Sequence, residues 1–291
     1  MNGTNRPKTA ILLFLFLTAA FSSVFYRLLI HAGSLQAHGG RLTFGLMWCP
    51  GVAALLTRLI LQRNLRGEGW SWGRTKYQFA SYWIPLAYAS AVYLPLWAAG
   101  YASFSAPEPH ALASRLGLGS SPAGSILVYF AVLAILGVPS SAVGAMGEEL
   151  GWRGLLVPEL ARVTSFPRVA IYSGVIWALW HSPLIIFLDY HGKGGVTFSL
   201  VCFVVLVVGV SFLYAWMRLK SGSVWTGVIL HASHNIFIQG FFDPLTRESR
   251  LTNYAIGEFG FGLAIVAVVL AVVFYRKRGE LPAMIPPHSL S

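Results

Sequence analysis

Charge is what this sequence has least of. Asp, Glu, Lys and Arg make up 11% of its 291 residues, where a soluble globular chain carries about 25%. A water-exposed surface of this size cannot be covered with so few charges, so a soluble domain is excluded. Acids are the scarcest, ten against 21 Lys and Arg. Cysteine is nearly absent. Cys49 and Cys202 stand alone in different apolar stretches, with no CxxC or Cys/His spacing, and read as small core residues. HExxH does not occur, which excludes a standard zincin. No internal repeat of the kind that builds many transporters is visible.

What is present is apolar length. The hydrophobic fraction is 56% and the mean hydropathy +0.64, and a membrane helix needs ~20 apolar residues to cross the hydrocarbon core. The pattern predicts an all-α fold, a polytopic membrane helix bundle of about eight transmembrane helices. The spans fall near 9–30, 42–61, 78–100, 125–147, 168–188, 197–217, 223–242 and 255–275, the fourth interrupted near Gly137-Val138-Pro139. Arg6 and Lys8 before the first apolar stretch resemble a signal peptide, but the stretch runs on to Ile30 and reads as an uncleaved signal-anchor. Segments 62–77 and 101–124 are the longest polar stretches. The tail 276–291 begins with a basic stop and is predicted to be disordered.

Lys and Arg test the orientation. With eight alternating spans and the N-terminus inside, fifteen of the 21 fall on the inner side; the other six are Arg27, Arg41, Arg115, Lys193, Arg247 and Arg250. That bias predicts both termini in the cytoplasm. The net charge of +11 fits loops facing anionic lipid. No nucleic-acid partner is expected, because the cations sit at helix ends rather than in an aromatic-studded patch.

Against this background a few ionisable residues are out of place, since each costs at least ~2.5–3.5 kcal/mol inside a span. Glu148 and Glu149 precede Arg153 in Gly147-Glu148-Glu149-Leu150-Gly151-Trp152-Arg153. On a helix Glu149 and Arg153 share a face and pair, while Glu148 points about 100° away and is free to meet a cavity. The alternative is a helix-end charge cluster with Arg153 reaching the interface. His181 lies well inside its span, one turn beyond Trp177; it reads as a catalyst or as a packing residue. His231 and Asn235 share a face at i, i+4, with His234 bordering it. They offer donors for an oxyanion or polar glue between helices. An acid pair, one histidine and a His/Asn pair on three helices fit water-activated hydrolysis.

Taken together, Glu148-Glu149-xxx-Arg153, Trp177-xxx-His181 and His231-xxx-Asn235 resemble the CAAX-processing and bacteriocin-processing intramembrane proteases, also called the abortive-infection family, which include the type II CAAX prenyl endopeptidases. The resemblance covers roughly 125–240. A weaker likeness runs from Met47-Trp48-Cys49-Pro50-Gly51 to Leu59, and one departure is Trp177, where the family usually has Phe. The resemblance implies an intramembrane endopeptidase in which Glu148 activates water with help from His181. His231 and Asn235 would stabilise the oxyanion, and Glu149 with Arg153 would hold the helix that presents Glu148. It divides the chain into helices 1–3 and a loop (1–124), a protease core (125–242), and a last helix with its cytoplasmic tail (243–291).

A divalent metal such as zinc is compatible with Glu148, His181 and His231, or with His231 and His234, and is not required. The implied partners are membrane lipid and a peptide or protein substrate, either a prenylated CAAX chain or a bacteriocin-like peptide; nothing in the sequence reads on oligomeric state. The implied location is a bacterial inner membrane, with a cavity open to the cytoplasm or to lipid. Two rival readings are a non-proteolytic immunity or scaffold protein of the same fold and a small proton-coupled transporter.

Overall fold

The computed structural model describes residues 6–118 and 121–282; the tail expected to be disordered from 276 continues as a helical turn over Lys277–Glu280, and its residues 283–291 lie outside the described residues. The fold is all-α. Among the described residues no strand occurs, only an isolated bridge between Phe104 and Thr246. Helix α1 (Arg6–Ala32) turns into α2 (Arg41–Gln62) through Gly39 and Gly40, whose φ of 66° and 74° is left-handed backbone that glycine adopts freely. Then come α3 (Thr75–Ala98), the short α4 (Pro107–Arg115), α5 (Pro122–Ala161), α6 (Phe166–Phe187) and α7 (Val196–Ser221). Last are α8 (Trp225–His234), continued by a π-helical stretch Asn235–Phe242, and α9 (Phe261–Arg276).

Helices α1, α2, α5, α6 and α7 are long and apolar enough to cross a membrane, and the protein is an integral membrane protein. The surface is that of a protein in lipid. Leu12, Phe16, Leu127, Ile135, Leu179 and Val201 are largely exposed, while Glu148, Glu149 and Arg153 are buried. Helix α7 is the axle of the bundle, covered by α6 on one side and α9 on the other. Between α2 and α5 the backbones nearly touch: a Cβ on Gly51 would come 2.5 Å from the Gly147 carbonyl oxygen, and one on Gly151 would come 2.5 Å from Pro50 Cβ. Small residues allow this approach, and it sets the two glutamates deep in the bundle.

Two expected spans need correcting. The fourth, expected at 125–147, is the middle of a 40-residue helix. Pro139 does not break it, because a π turn at Leu133–Gly137 widens the helix where the proline ring would meet the carbonyl four residues back. A second π stretch, Leu150–Leu156, carries the helix past Glu149, so Glu148 is not at a helix end. The eighth span starts later than expected, at Phe261. The chain before it turns at Gly257, whose φ is 72°, and this leaves Glu258 in the loop.

The loops gather at two ends. At one, Ser34 and Leu35 bond Asp189, Lys193 pairs with Glu248, and Tyr190 bonds Glu258. This end joins the α1–α2, α6–α7 and α8–α9 connections. At the other, Val224 N–H donates to the Gly69 carbonyl, Trp225 to the Trp70 carbonyl, and Trp216 to the Lys277 carbonyl. Arg58 and Arg218, counted in sequence as interfacial loop charges, are buried at this second end. Arg58 pairs with Glu68 and lies 3.6 Å from Glu159. The connection between α2 and α3 thus folds in under the bundle instead of floating in water.

Candidate active site

Each π stretch exposes backbone carbonyls that lose their regular helical partner, and another helix supplies a donor every time. Tyr82 Oη donates to the Ala134 carbonyl at 2.6 Å and Tyr129 Oη to the Gly240 carbonyl at 2.7 Å. In the stretch that follows the two glutamates, Arg218 Nε donates to the Arg153 carbonyl at 2.6 Å and Arg58 Nη2 to the Gly154 carbonyl at 3.1 Å. The widened turn after Glu149 is therefore gripped from α2 and α7 by two buried guanidinium groups.

On this base the pairing expected of Glu149 and Arg153 is found, Oε1 to Nη1 at 2.9 Å. The Arg153 guanidinium lies 4.3 Å from the Trp177 ring and 4.1 Å from the Tyr214 ring, a stacked cation cage. Glu149 does more than hold the arginine. Its Oε1 also lies 3.0 Å from His231 Nδ1. A carboxylate only accepts, so Nδ1 carries the proton and Nε2 is left for the cavity. The pattern of i, i+4 spacings could not show this bond, because it joins residues 82 positions apart.

Glu148 is held differently. Trp177 Nε1 donates to its Oε2 at 2.9 Å and Trp152 Nε1 to the same oxygen at 3.4 Å. Oε1 has no hydrogen-bond partner among the described residues. The departure at Trp177 thus has a physical content, since the indole N–H supplies a donor that phenylalanine lacks. His181 Nδ1 donates to the Trp177 carbonyl at 3.1 Å, which leaves its Nε2 as a free acceptor. The His181 and His231 rings both stand edge-on to Trp177, with centroids 6.0 and 5.5 Å away.

These side chains converge on one cavity of about 180 Å³, lined by Glu148, Trp177, His181, His231, His234 and Asn235 and closed by apolar residues of α2, α6 and α7. All four residues expected to be catalytic meet there. His234 meets it in another role. Its Nε2 lies 2.8 Å from Glu258 Oε1 and its Nδ1 accepts from Tyr88. With both nitrogens engaged it is not available as the metal partner of His231 that the sequence had left open. Glu258 Oε2 in turn accepts from Tyr190 Oη at 2.8 Å, and the Tyr190 ring stacks on His181. Glu258, Tyr190 and Tyr88 were missed in the sequence. For Glu258 the signal was there: a carboxylate inside the span expected at 255–275.

Among the described residues no three of His, Cys, Asp and Glu gather into a group that could hold a metal ion. Two imidazole Nε2 atoms and Glu148 face one cavity without converging as ligands.

The fold and site define an integral membrane helix bundle with a buried Glu/His centre. Residues 125–237, the segment carrying all three motifs, match the family model described as type II CAAX prenyl endopeptidase Rce1-like, so the resemblance read from the motifs is shown over that segment. The chain is also similar to CAAX prenyl protease 2 of Methanococcus maripaludis, 30% identical over 140 residues, which are 47% of this chain and 48% of that protein. It thus spans about half the length of the curated relative it matches.

Proposed function

We propose that this protein is an intramembrane endopeptidase that hydrolyses a peptide bond of a membrane-associated peptide or protein by direct attack of water. The observation that carries the reading is the cavity-facing oxygen of Glu148, beside a histidine whose Nε2 is free to accept. Glu148 Oε1 takes a proton from water as His181 Nε2 accepts the other water hydrogen, and the hydroxide attacks the scissile carbonyl carbon. The oxyanion is met by the Asn235 amide and by His231 in its doubly protonated form, which Glu149 balances from the far side. Glu148 then passes its proton to the leaving amine. Trp177 fixes the carboxylate and spaces the two imidazoles. Glu149 and Arg153 serve as positioning residues, as does His234 through Glu258. The Rce1-like match and the similarity to a protein named CAAX prenyl protease 2 support this chemistry. Prenylated CAAX chains and bacteriocin-like peptides are the candidate substrates, and the plasma membrane is the proposed location, with both termini cytoplasmic.

The test is a cleavage screen of fluorogenic peptides with the purified full-length protein, with Glu148→Gln, His231→Ala and a chelator run in parallel. Cleavage by wild type, loss in both variants and persistence with chelator support the metal-free scheme. A folded wild type that cleaves nothing, or a Glu148→Gln protein that keeps full activity, overturns the protease reading.

A further inference from the structure

The cavity belongs to one end of the molecule. Its lining includes Leu35, Thr43, Tyr190 and Glu258 from the end that joins the α1–α2, α6–α7 and α8–α9 connections, and no residue of 62–77, 154–165 or 218–225 from the other. Helix α2 gives the depth of its floor. Gly147 packs against Met47 and Trp48, seven residues from the first residue of α2 and fourteen from its last. At 1.5 Å per residue that is ~10 Å from the cavity end and ~21 Å from the other.

The two ends differ in charge. The cavity end holds six Lys and Arg against five acids, net +1. The rest of the chain, with the Glu148–Glu149–Arg153 cluster included, holds fifteen against five, net +10. All of these charged residues lie within the described residues. Lys and Arg are retained on the cytoplasmic side of a bilayer, and the end rich in them is the one closed by the Arg58–Glu68 pair.

We infer that the cavity opens on the non-cytoplasmic face, and that its substrate is a polypeptide presented from that face: an exported peptide or the outer segment of a membrane-anchored protein. This rests on the protease reading for the chemistry, but not for the orientation. It departs from the expectation of a cavity open to the cytoplasm or to lipid, which placed Glu148 near the cytoplasmic end of its span. It also separates the candidate substrates, because a CAAX chain made and prenylated in the cytoplasm would meet the closed end. The lining adds a second discrimination. It contains Glu148 and Glu258 and no Lys or Arg, so a substrate carboxylate entering the cavity would find no permanent cation to pair with.

The inference is tested on the full chain in spheroplasts. Cys49 and Cys202 are both buried, so new cysteines at the exposed Gln36 and Ser71 can be read separately. A membrane-impermeant maleimide is expected to label Gln36→Cys in intact spheroplasts, and Ser71→Cys only after detergent. The reverse pattern overturns the inference. In a second arm, right-side-out and everted vesicles receive a water-soluble fluorogenic peptide that cannot cross the bilayer. Cleavage by right-side-out vesicles supports the inference, and cleavage by everted vesicles alone overturns it. If detergent-solubilised protein cleaves nothing, the protease reading falls while the labelling still decides the orientation.

Discussion

The two buried polar regions of this protein use the same side-chain types to opposite ends. In the Arg58–Glu68–Glu159–Arg218 cluster the guanidinium groups are spent on the protein itself, on carboxylates and on the carbonyls of Arg153 and Gly154. In the cavity three groups are half spent. Glu148 gives one oxygen to indoles, while His181 and His231 each give one nitrogen to a carbonyl or carboxylate. A region whose cations are committed to its own carboxylates and carbonyls can only hold shape. One with free atoms on three of its groups can bind and move protons, and its geometry is fixed by the half already used.

Substitutions can break that comparison. The largest effect is expected for Glu148→Gln, a fall in peptide cleavage of about 10⁴-fold, the upper range for a general base, with the melting temperature little changed. Arg58→Ala should do the reverse. Breaking a buried pair costs ~3–5 kcal/mol, read as a lowered denaturation midpoint, and activity follows stability down. Gly227→Ala tests the seam between the regions. Its Cβ would lie 2.6 Å from Glu149 Oε2, so overpacking of ~1–3 kcal/mol should push Glu149 off His231 and lower kcat more than it raises KM. Trp177→Phe should leave folding intact and cost roughly tenfold in kcat, the loss of one donor to a charged group.

The smallest effect lies outside both regions. Burial pushes the Asp243 carboxyl up to about 7, although Tyr93 donates to it. The folded state therefore holds a proton there that the unfolded chain releases near its ordinary value. Stability from this group is complete below that value and is lost as pH rises toward 7. Asp243→Asn should flatten that slope in a thermal-shift series.

Much of the fold was legible because membrane helices announce themselves by length and the Lys/Arg alternation checks their number. The Glu149–Arg153 pair was legible because i, i+4 geometry is local. What stayed hidden was long-range or required backbone irregularity. No periodicity foretells a π turn, so α5 was cut short and Glu148 was placed at its end. Arg58 and Arg218 were read as interfacial because a cation at a helix end usually is. Their burial depends on loop 62–77 folding under the bundle, which side-chain chemistry alone does not reveal. Glu258 could have been found by the rule applied to the other acids.

The grip on the widened turn after Glu149 has a consequence for how the chain is made. Arg58 precedes that turn in the chain by about a hundred residues and Arg218 follows it by more than sixty. During synthesis the two glutamates enter the membrane with one of their two clasps already in place and the other not yet translated. The two glutamates reach their final register only once α7 has docked, so the nascent chain has no assembled site until most of the bundle that encloses it exists.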